Sequence, residues 1–594
     1  MYQETKQCQN CQSEFTIEPE DFVFYEKIKV PAPTFCWLCR AQRRMAFRNE
    51  RFLHKRKSDS SGKEIFSAFS AEFPGKVYEV SIWNSDQWEP MEYARDYDFS
   101  RPFFEQFKEF LRTVPLKNLN LVNPVRSDYC NNFTNPKNCY LTFNGQNAED
   151  CMYGNGYSDV KDSVDTSHLG KSENCYEGLW LTSCSNTMFS TQCENSYNLA
   201  FCKNMSGCHD CFGCVGLRNR SYHIFNKPLS KENYEKALRE FDLSSHQKLE
   251  EIKKKTKEFW MKFPNKFMEG THSTNVSGNY ISHSKNVRNC FLVREGENLK
   301  YCQYVQESPG SKDSYDYTAW GAANELIYEC VACGLNTNSI KFCYNVQENV
   351  HDIEYSYMCA SSSYLFGCIG LKQKQYCIFN KQYVKEEYEE LRSKIIEQMN
   401  SMPYKDSRGI VYKYGEYFPI EVSPFPYNET LAQEYFPLTR DKAKKIGYAW
   451  HDQADRNYKP TLLAENIPDR LEESPDLIAS EIIKCAHQGK CNDQCTTAFK
   501  IIPAELAFYK KHNIALPRLC PHCRHAERIS QRSKIQLYPG KCQCSGSKSS
   551  NGIYTNQSPH FHGEEHCPNE FETSYAPERE EVVYCERCYQ QEVV

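Results

Sequence analysis

The sequence predicts a mainly β protein with helices, in which two β-solenoid-like arrays, each capped by a helix, are flanked by treble-clef-like zinc modules at both termini. Three observations predict it. Paired Cys-x2-Cys knuckles occur near both ends, short Cys/Asn/Tyr-rich phrases recur through the middle, and a near-identical phrase, FGCVGL or FGCIGL, closes both arrays. Together these observations place metal-binding modules around a repetitive centre.

Composition narrows the functional classes. The 594 residues carry a net charge of −5, so any contact with nucleic acid must come from a local basic patch. Mean hydropathy is −0.72, and no apolar run of about 18 residues predicts a membrane span. The start, MYQETKQCQNC, does not have the pattern of a secretory signal. We therefore expect a cytoplasmic protein whose 32 cysteines bind metal or fill buried positions.

The first predicted zinc module covers residues 1–57. Two knuckles are separated by a stretch, residues 15–30, whose alternating apolar residues favour a hairpin. The arginine-rich stretch that begins in the second knuckle is typical of a helix, which completes a treble clef. This spacing predicts a tetrahedral zinc site with four thiolate ligands, formed by Cys8, Cys11, Cys36 and Cys39.

A constant shift along the chain lays this module on a second copy within residues 485–594. In that copy Asn492 replaces the first ligand, with Cys491 beside it and Cys485 further upstream. We interpret Cys485 as the spare cysteine. The second predicted tetrad is Cys491, Cys495, Cys520 and Cys523.

The duplication continues into a further cysteine-rich set at the C terminus. Its five cysteines are enough for a third zinc ion, and the spacing leaves open which four bind it. Nearby histidines could replace one cysteine, although loop histidines are more often solvated. The cysteines are Cys542, Cys544, Cys567, Cys585 and Cys588, and the histidines are His560, His562 and His566.

The corresponding N-terminal positions lack ligands. Ser58, Ser60, Ser61, Glu79 and Ile82 occupy them. Serine and isoleucine do not hold Zn²⁺, so we expect three zinc ions rather than four. A site of four thiolates has no open coordination position, which favours a structural role over catalysis.

Arginines follow the second knuckle in both copies at helical spacing. Positions i, i+4 and i+8 share one helix face, and guanidinium groups in a row suit phosphate contacts. A solvated face, or pairing with neighbouring carboxylates, is an equally weighted alternative. The candidate nucleic-acid-binding residues are Arg40, Arg44, Arg48, Arg51, Arg524, Arg528 and Arg532.

The middle of the chain predicts two solenoids with about 20 residues per coil. Asparagine would occupy tight left-handed corners, while cysteine and aromatic residues stack inward. A tight cluster, Cys202, Cys208, Cys211 and Cys214, could hold metal. However, the second array keeps only the last of these, as Cys368. This favours cysteines that stack inside the solenoid, which we call ladder filling, over a metal site.

These patterns predict eight segments. They are a zinc module (1–57), a degenerate second module with a helical connection (58–126), the first solenoid (127–229), a helical segment (230–274), the second solenoid (275–381), a capping helix (382–402), an irregular connection (403–484) and a double zinc module (485–594).

Four phrases, CWLCRAQRRMAFRNER, DFSRPFFEQF, CFGCVGLRNRSYHIFNK and YCERCYQQEVV, resemble a large family of uncharacterised bacterial proteins. In that family, terminal treble-clef or zinc-ribbon-like modules with four cysteine ligands flank Cys/Asn/Tyr-rich repeats. The resemblance implies a cytoplasmic bacterial protein and supplies no activity. The family carries cysteine pairs at the positions of Ser58/Ser61 and Glu79/Ile82, where this chain departs from it.

The leading functional hypothesis is a non-enzymatic zinc protein that binds RNA or DNA through the arginine-bearing helices. The first alternative is a scaffold whose solenoid face receives a protein partner. The second is a carbohydrate-active enzyme on a solenoid. No small-molecule substrate or membrane contact is expected. The acids considered for the enzyme are Asp150, Asp159, Asp162, Asp165, Asp313 and Asp316.

Overall fold

The computed structural model describes residues 3–452 and 459–593. None of its helices, within those residues, is long and apolar enough to cross a bilayer. The helices are α1 (Pro19–Lys27), α2 (Trp37–Met45), α3 (Val80–Trp83), α4 (Phe103–Thr113), α5 (Lys231–Leu238), α6 (His246–Trp260), α7 (Lys385–Ser401), α8 (Leu431–Tyr435), α9 (Arg440–Lys445), α10 (Pro503–His512), α11 (Pro521–Ile529) and α12 (Glu586–Val593).

The first solenoid is a 12-stranded, almost entirely parallel sheet. Neighbouring strands pair residues that lie one coil apart, such as Asn155 with Ser167 and Tyr157 with Leu169. Each coil therefore spans 12 residues, and the prediction of about 20 was wrong. The strands are Leu121–Val122, Asn131–Lys137, Phe143–Glu149, Asn155–Lys161, Ser167–Glu173, Leu179–Thr182, Ser185–Met188, Thr191–Glu194, Tyr197–Ala200, His209–Phe212, Ser221–Ile224 and Lys227–Pro228.

The second solenoid repeats this architecture with a less regular coil. Its pairing advances by 13 residues between Glu325 and Asn338 and by 12 between His351 and Ser363. The strands are Gly270–Thr271, Thr274–Ser282, Lys285–Arg294, Glu297–Lys300, Gln303–Val305, Lys312–Thr318, Glu325–Val331, Thr337–Lys341, Val350–Glu354, Ser363–Phe366, Gln375–Ile378 and Lys381–Gln382.

The short coil follows from left-handed residues at nearly every third position. Asn132, Asn135, Asn138 and Leu141 have φ of 53°, 54°, 53° and 49°. Each of them turns the chain, so that a coil has four short sides. Asparagine is enriched because its side chain tolerates this backbone conformation better than most. The predicted role of asparagine at tight corners is confirmed.

The residues that follow the corners are buried in the solenoid interior, where small side chains such as Ser163 and Cys175 lie among larger ones such as Phe133 and Leu169. The hydroxyl of Ser163 donates to the carbonyl of Lys161 at 2.7 Å and accepts from the backbone N–H of Cys175 at 3.2 Å. The thiol of Cys175 in turn donates to the carbonyl of Glu173 at 3.3 Å. Cysteine thus serves here as a small, weakly polar core residue.

The cysteine cluster considered as a metal site belongs to this inner ladder. The thiols of Cys202, Cys208 and Cys214 donate to backbone carbonyls nine residues ahead, at 3.5, 3.4 and 3.4 Å. All three side chains are buried. The geometry agrees with the ladder-filling interpretation.

A hairpin and a helix close the end of each solenoid. In the first, Tyr222 of the last hairpin contacts Tyr234 of α5, with ring centroids 5.8 Å apart. In the second, Tyr376 contacts Tyr388 of α7 at the same distance. Both helices cover the last strands, whose edges would otherwise be open to pairing.

The first terminal module corrects one element of the prediction. Residues between the two knuckles form α1, not a hairpin. Pro19 occupies the first helical position, where its missing N–H is not needed, and the Asp21 carboxylate accepts from the backbone N–H of Glu18 at 3.1 Å. These starting signals outweigh the alternation that suggested strands.

The terminal modules dock in a crossed arrangement. Phe24 of the N-terminal module stacks on Tyr315 of the second solenoid at 3.9 Å, whereas Phe508 of the C-terminal module contacts Tyr176 of the first at 5.6 Å. The shorter strands outside the solenoids are Glu4–Gln7, Glu14–Ile17, His54–Lys57, Glu64–Ser67, Val77–Tyr78, Leu116–Lys117, Asn265–Lys266, Tyr404–Lys405, Val411–Tyr412, Leu462–Leu463, Ile483–Lys484, Ala498–Phe499, Tyr538–Lys541, Cys544–Ser545, Lys548–Ser549, Glu570–Thr573 and Val583–Tyr584.

Candidate metal centres

The first tetrad forms where a strand turn meets the start of α2. Cys8 and Cys11 lie in the turn after strand Glu4–Gln7, while Cys36 caps α2 and Cys39 lies in its first turn. The four sulfur atoms lie within 4.8 Å of one another, and those of Cys11 and Cys36 are 3.7 Å apart. Tetrahedral zinc with Zn–S bonds of about 2.3 Å requires S···S distances of about 3.8 Å. The predicted ligands are therefore brought together.

The second tetrad contains Cys485 in place of Cys491, which corrects the predicted assignment. Cys485 directly follows strand Ile483–Lys484, as Cys8 follows its own strand, and the loop to Cys495 is enlarged. Contact with Cys495 lowers the pKa of Cys485 to about 7, which favours the thiolate that binds metal. Cys491 is partly exposed, although its sulfur lies 3.7 Å from that of Cys523. The buried group is Cys485, Cys495, Cys520 and Cys523.

The third tetrad is built beside the antiparallel strands Tyr538–Lys541 and Glu570–Thr573 and at the start of α12. The sulfur atoms of Cys567 and Cys585 are 3.9 Å apart. Cys544, the fifth predicted ligand, lies outside this group. The four cysteines within 4.8 Å of one another are Cys542, Cys567, Cys585 and Cys588.

A hydrogen-bonded cluster stands at the equivalent N-terminal position. The hydroxyls of Ser58 and Ser60 both donate to the carboxylate of Glu79, the latter at 2.7 Å. Partial burial acts to raise the pKa of Glu79, but these hydrogen bonds outweigh it and lower the pKa to about 2. Hydrogen bonds to this charged carboxylate hold Ser58 and Ser60 together, at the position where cysteine thiolates could bind a metal ion in the C-terminal copy.

The donor chemistry of the tetrads fits zinc. Each offers four sulfur atoms and no oxygen donor, and tetrahedral sites of four sulfur ligands select Zn²⁺ or iron. Four protein ligands leave no place for water or substrate. Metal bound there would fix the turn against the helix start.

The arginines predicted to face solvent are instead buried against the solenoids. Arg40 and Arg44 both pair with Asp316, at 2.8 and 3.0 Å, and Arg43 pairs with Glu329 at 2.7 Å. Burial opposes the charge on Arg43, but Glu329 and Glu416 outweigh it and raise its pKa. These guanidinium groups cannot reach a phosphate.

The C-terminal copy makes the equivalent arginine–aspartate contacts with the first solenoid. We call the two sets of contacts the crossed arginine grip. Arg524 and Arg528 of α11 pair with Asp165 at 2.9 and 2.8 Å, and Arg524 also pairs with Glu505 at 3.1 Å. Both Asp165 and Asp316 are left-handed corner residues with φ of 52°. Two arginines one helical turn apart therefore hold one corner aspartate in each half.

Two of the three remaining predicted arginines bridge to the other solenoid. Arg48 donates to Asn144 of the first solenoid at 2.8 Å, and Arg532 donates to Tyr304 of the second at 3.0 Å. Arg51 lies 3.7 Å from Glu434. The predicted phosphate-binding face is thus wrong for these side chains, and the alternative of carboxylate pairing describes most of them.

The acids considered for a carbohydrate-active enzyme do not converge. Asp150 and Asp159 each accept from a corner asparagine one coil away, at 2.8 and 2.9 Å. Asp313 pairs with Lys27 at 2.9 Å, while Asp165 and Asp316 hold the arginines. These contacts give structural roles to five of the six acids, and the sixth, Asp162, is a corner residue with φ of 45°.

Sequence reasoning missed the counter-charges on the solenoids. One signal was present: the shift that superposes the two arginine series also lays Asp21 on Glu505. Both carboxylates are buried, one paired with Lys300 at 2.6 Å and the other with Arg524. A repeated acid beside repeated arginines points to ion pairing.

Comparisons with known proteins add little. No protein-family model matches the chain, and no curated protein matches it. A solved structure assigned to a putative acetyltransferase of Desulfovibrio desulfuricans G20 aligns at 8% identity over 50% of this chain and 86% of that one, with a TM-score of 0.09. A TM-score this low does not show a common fold. Membership of the family suggested by the sequence phrases stays a prediction.

Proposed function

We propose that this chain is a non-catalytic zinc protein whose terminal modules clamp two β-solenoids into one scaffold for a protein partner. The crossed arginine grip is the observation that carries the proposal. Asp316 and Asp165 are fully buried beneath α2 and α11. The arginine side chains of these helices therefore hold the terminal modules against the solenoids and are not free to bind phosphate.

Closed metal sites support this role. Each group of four cysteines stands at the N-terminus of a helix, and two of these helices, α2 and α11, carry the gripping arginines. Because metal would fix the start of each helix, it would also aim the arginine side chains. Direct contacts then complete the clamp: Trp180 stacks on Tyr280 at 4.6 Å, and Gln192 donates to the same tyrosine at 3.1 Å.

The free solenoid surface favours a protein partner. A shallow groove on the first solenoid is lined by lysine, glutamate and an exposed tyrosine, among them Lys161, Lys171, Glu173 and Tyr197. Tyr197 is 46% exposed and stacks on His209 at 4.8 Å. Mixed charge around an exposed aromatic residue suits a protein surface better than a polyanion.

Two measurements test the proposal. Metal analysis of the purified chain should find zinc at a stoichiometry of at least three. Affinity capture from nuclease-treated lysate of the source cells should retain a protein partner, and the double variant Lys171→Glu/Tyr197→Ala should lose it. Val23→Ala, which alters an exposed residue of α1, is the control. Absence of zinc, or loss of the partner on nuclease treatment, would contradict the proposal.

A further inference from the structure

A second group of metal-type ligands lies beside the third tetrad. Cys544, His560, His562 and Cys588 each offer one ligand atom, and these atoms lie within 4.8 Å of one another. The Nε2 atom of His562 is 3.4 Å from the Cys588 sulfur. Cys588 is thus a member of both groups.

The two histidines are oriented as metal ligands are. Nε2 of His560 bonds the carboxylate of Glu592 at 2.9 Å, with both side chains fully buried. Nδ1 of His562 bonds the carbonyl of Glu565 at 2.7 Å. Metal-bound histidines usually donate the other ring N–H to a carboxylate or a carbonyl, and this fixes the tautomer.

The Nδ1 atom of His560 is buried and has no hydrogen-bond partner among the described residues. A buried polar atom without a partner costs free energy. With Nε2 protonated toward Glu592, Nδ1 carries a free lone pair, and a cation held by the group of four ligands would satisfy it.

Amide donors support both sulfur groups. Asn556 donates to the Cys544 sulfur at 3.3 Å, and Asn569 donates to the Cys585 sulfur at 3.3 Å. Such outer contacts stabilise thiolates and orient them. The two adjacent groups therefore have the same kind of support.

We propose that Cys544, His560, His562 and Cys588 bind a further metal ion, so that this ion and the ion of the third tetrad share the Cys588 thiolate. The donor set of two sulfur and two nitrogen atoms is one that zinc accepts in closed tetrahedral sites. The chain then carries four zinc ions: one in each of the three cysteine tetrads and one in this mixed cysteine–histidine site.

Zinc content of the purified chain tests the proposal. We expect four zinc ions per chain, three in the His560→Ala/His562→Ala variant and four in the control His566→Ala, whose ring contacts the Cys567 carbonyl at 2.9 Å. Three ions in the unaltered chain, or four in the double variant, would overturn the proposal. Three ions would leave the tetrads intact, whereas none would contradict the proposed function as well.

A milder variant distinguishes loss of this metal site from general unfolding of the protein. Glu592→Gln keeps all four ligands but weakens the partner of His560. Competition with a chromophoric chelator should then show one zinc ion bound about 10- to 100-fold more weakly and the other three unchanged. Equal weakening of all four ions, or no weakening of any, would refute a separate site.

Discussion

Replacing Asp165 by asparagine should release the C-terminal module from the first solenoid. The carboxylate is fully buried, and it is the only carboxylate paired with Arg528 among the described residues. The amide has the same shape but no charge, so Arg528 would remain buried without a counter-charge. Removing one partner of a buried pair costs about 3–5 kcal/mol.

The N-terminal half provides a matched comparison. Arg44 would keep Glu329 at 3.2 Å after Asp316→Asn, so this variant should cost less than Asp165→Asn. Asp313→Asn, which removes a partly exposed pair with Lys27, is the control and should cost about 0–1 kcal/mol.

Hydrogen exchange measures the effect, on the α11 amides for Asp165→Asn and on the α1 and α2 amides for Asp313→Asn and Asp316→Asn, because it reports local opening in a protein too large for a single unfolding transition. In Asp165→Asn the α11 amides should exchange about 140- to 3700-fold faster, which is the predicted cost converted at 1.4 kcal/mol per tenfold. An increase below tenfold, or one equal to that of Asp313→Asn, would refute the argument for a buried grip.

Three further predictions follow from other contacts. Burial acts to raise the pKa of Glu354, but Lys341 and Arg392 outweigh it and lower the pKa to about 2. Glu354→Gln should therefore cost about 3 kcal/mol at pH 7, and hydrogen exchange of the amides of α7, which carries Arg392, should show the difference vanishing as the pH falls from about 4.5 to 2. Cys39→Ser should remove one zinc ion and speed proteolysis of the N-terminal module, with no change in the C-terminal fragments. In the inner ladder, Cys175→Ser should cost less than about 1 kcal/mol and Cys175→Leu about 1–3 kcal/mol; equal thermal stability of the two variants would contradict the tight ladder.

The sequence predicted the architecture because its signals are local or duplicated. The Cys-x2-Cys spacing predicts the cysteine tetrads, and the repeated FGCVGL and FGCIGL phrases predict where each solenoid ends. The coil length was missed because cysteines fill only some inward positions, so their steps of nine or ten residues hid a corner at every third residue. Cys485 was missed because a loop insertion moved it out of register. The arginine contacts were missed because Asp165 and Asp316 lie far away in the chain.

The crossed docking sets an order for folding during synthesis. Arg40 reaches Asp316 across 276 residues, and Arg528 reaches Asp165 across 363. The N-terminal helix therefore leaves the ribosome long before its acceptor does, and the first solenoid waits with its acceptor uncovered until the last module is made. A nascent chain that stops early keeps bare arginines at one end or a bare aspartate in the middle. Burial of these charges therefore requires that synthesis has passed α11.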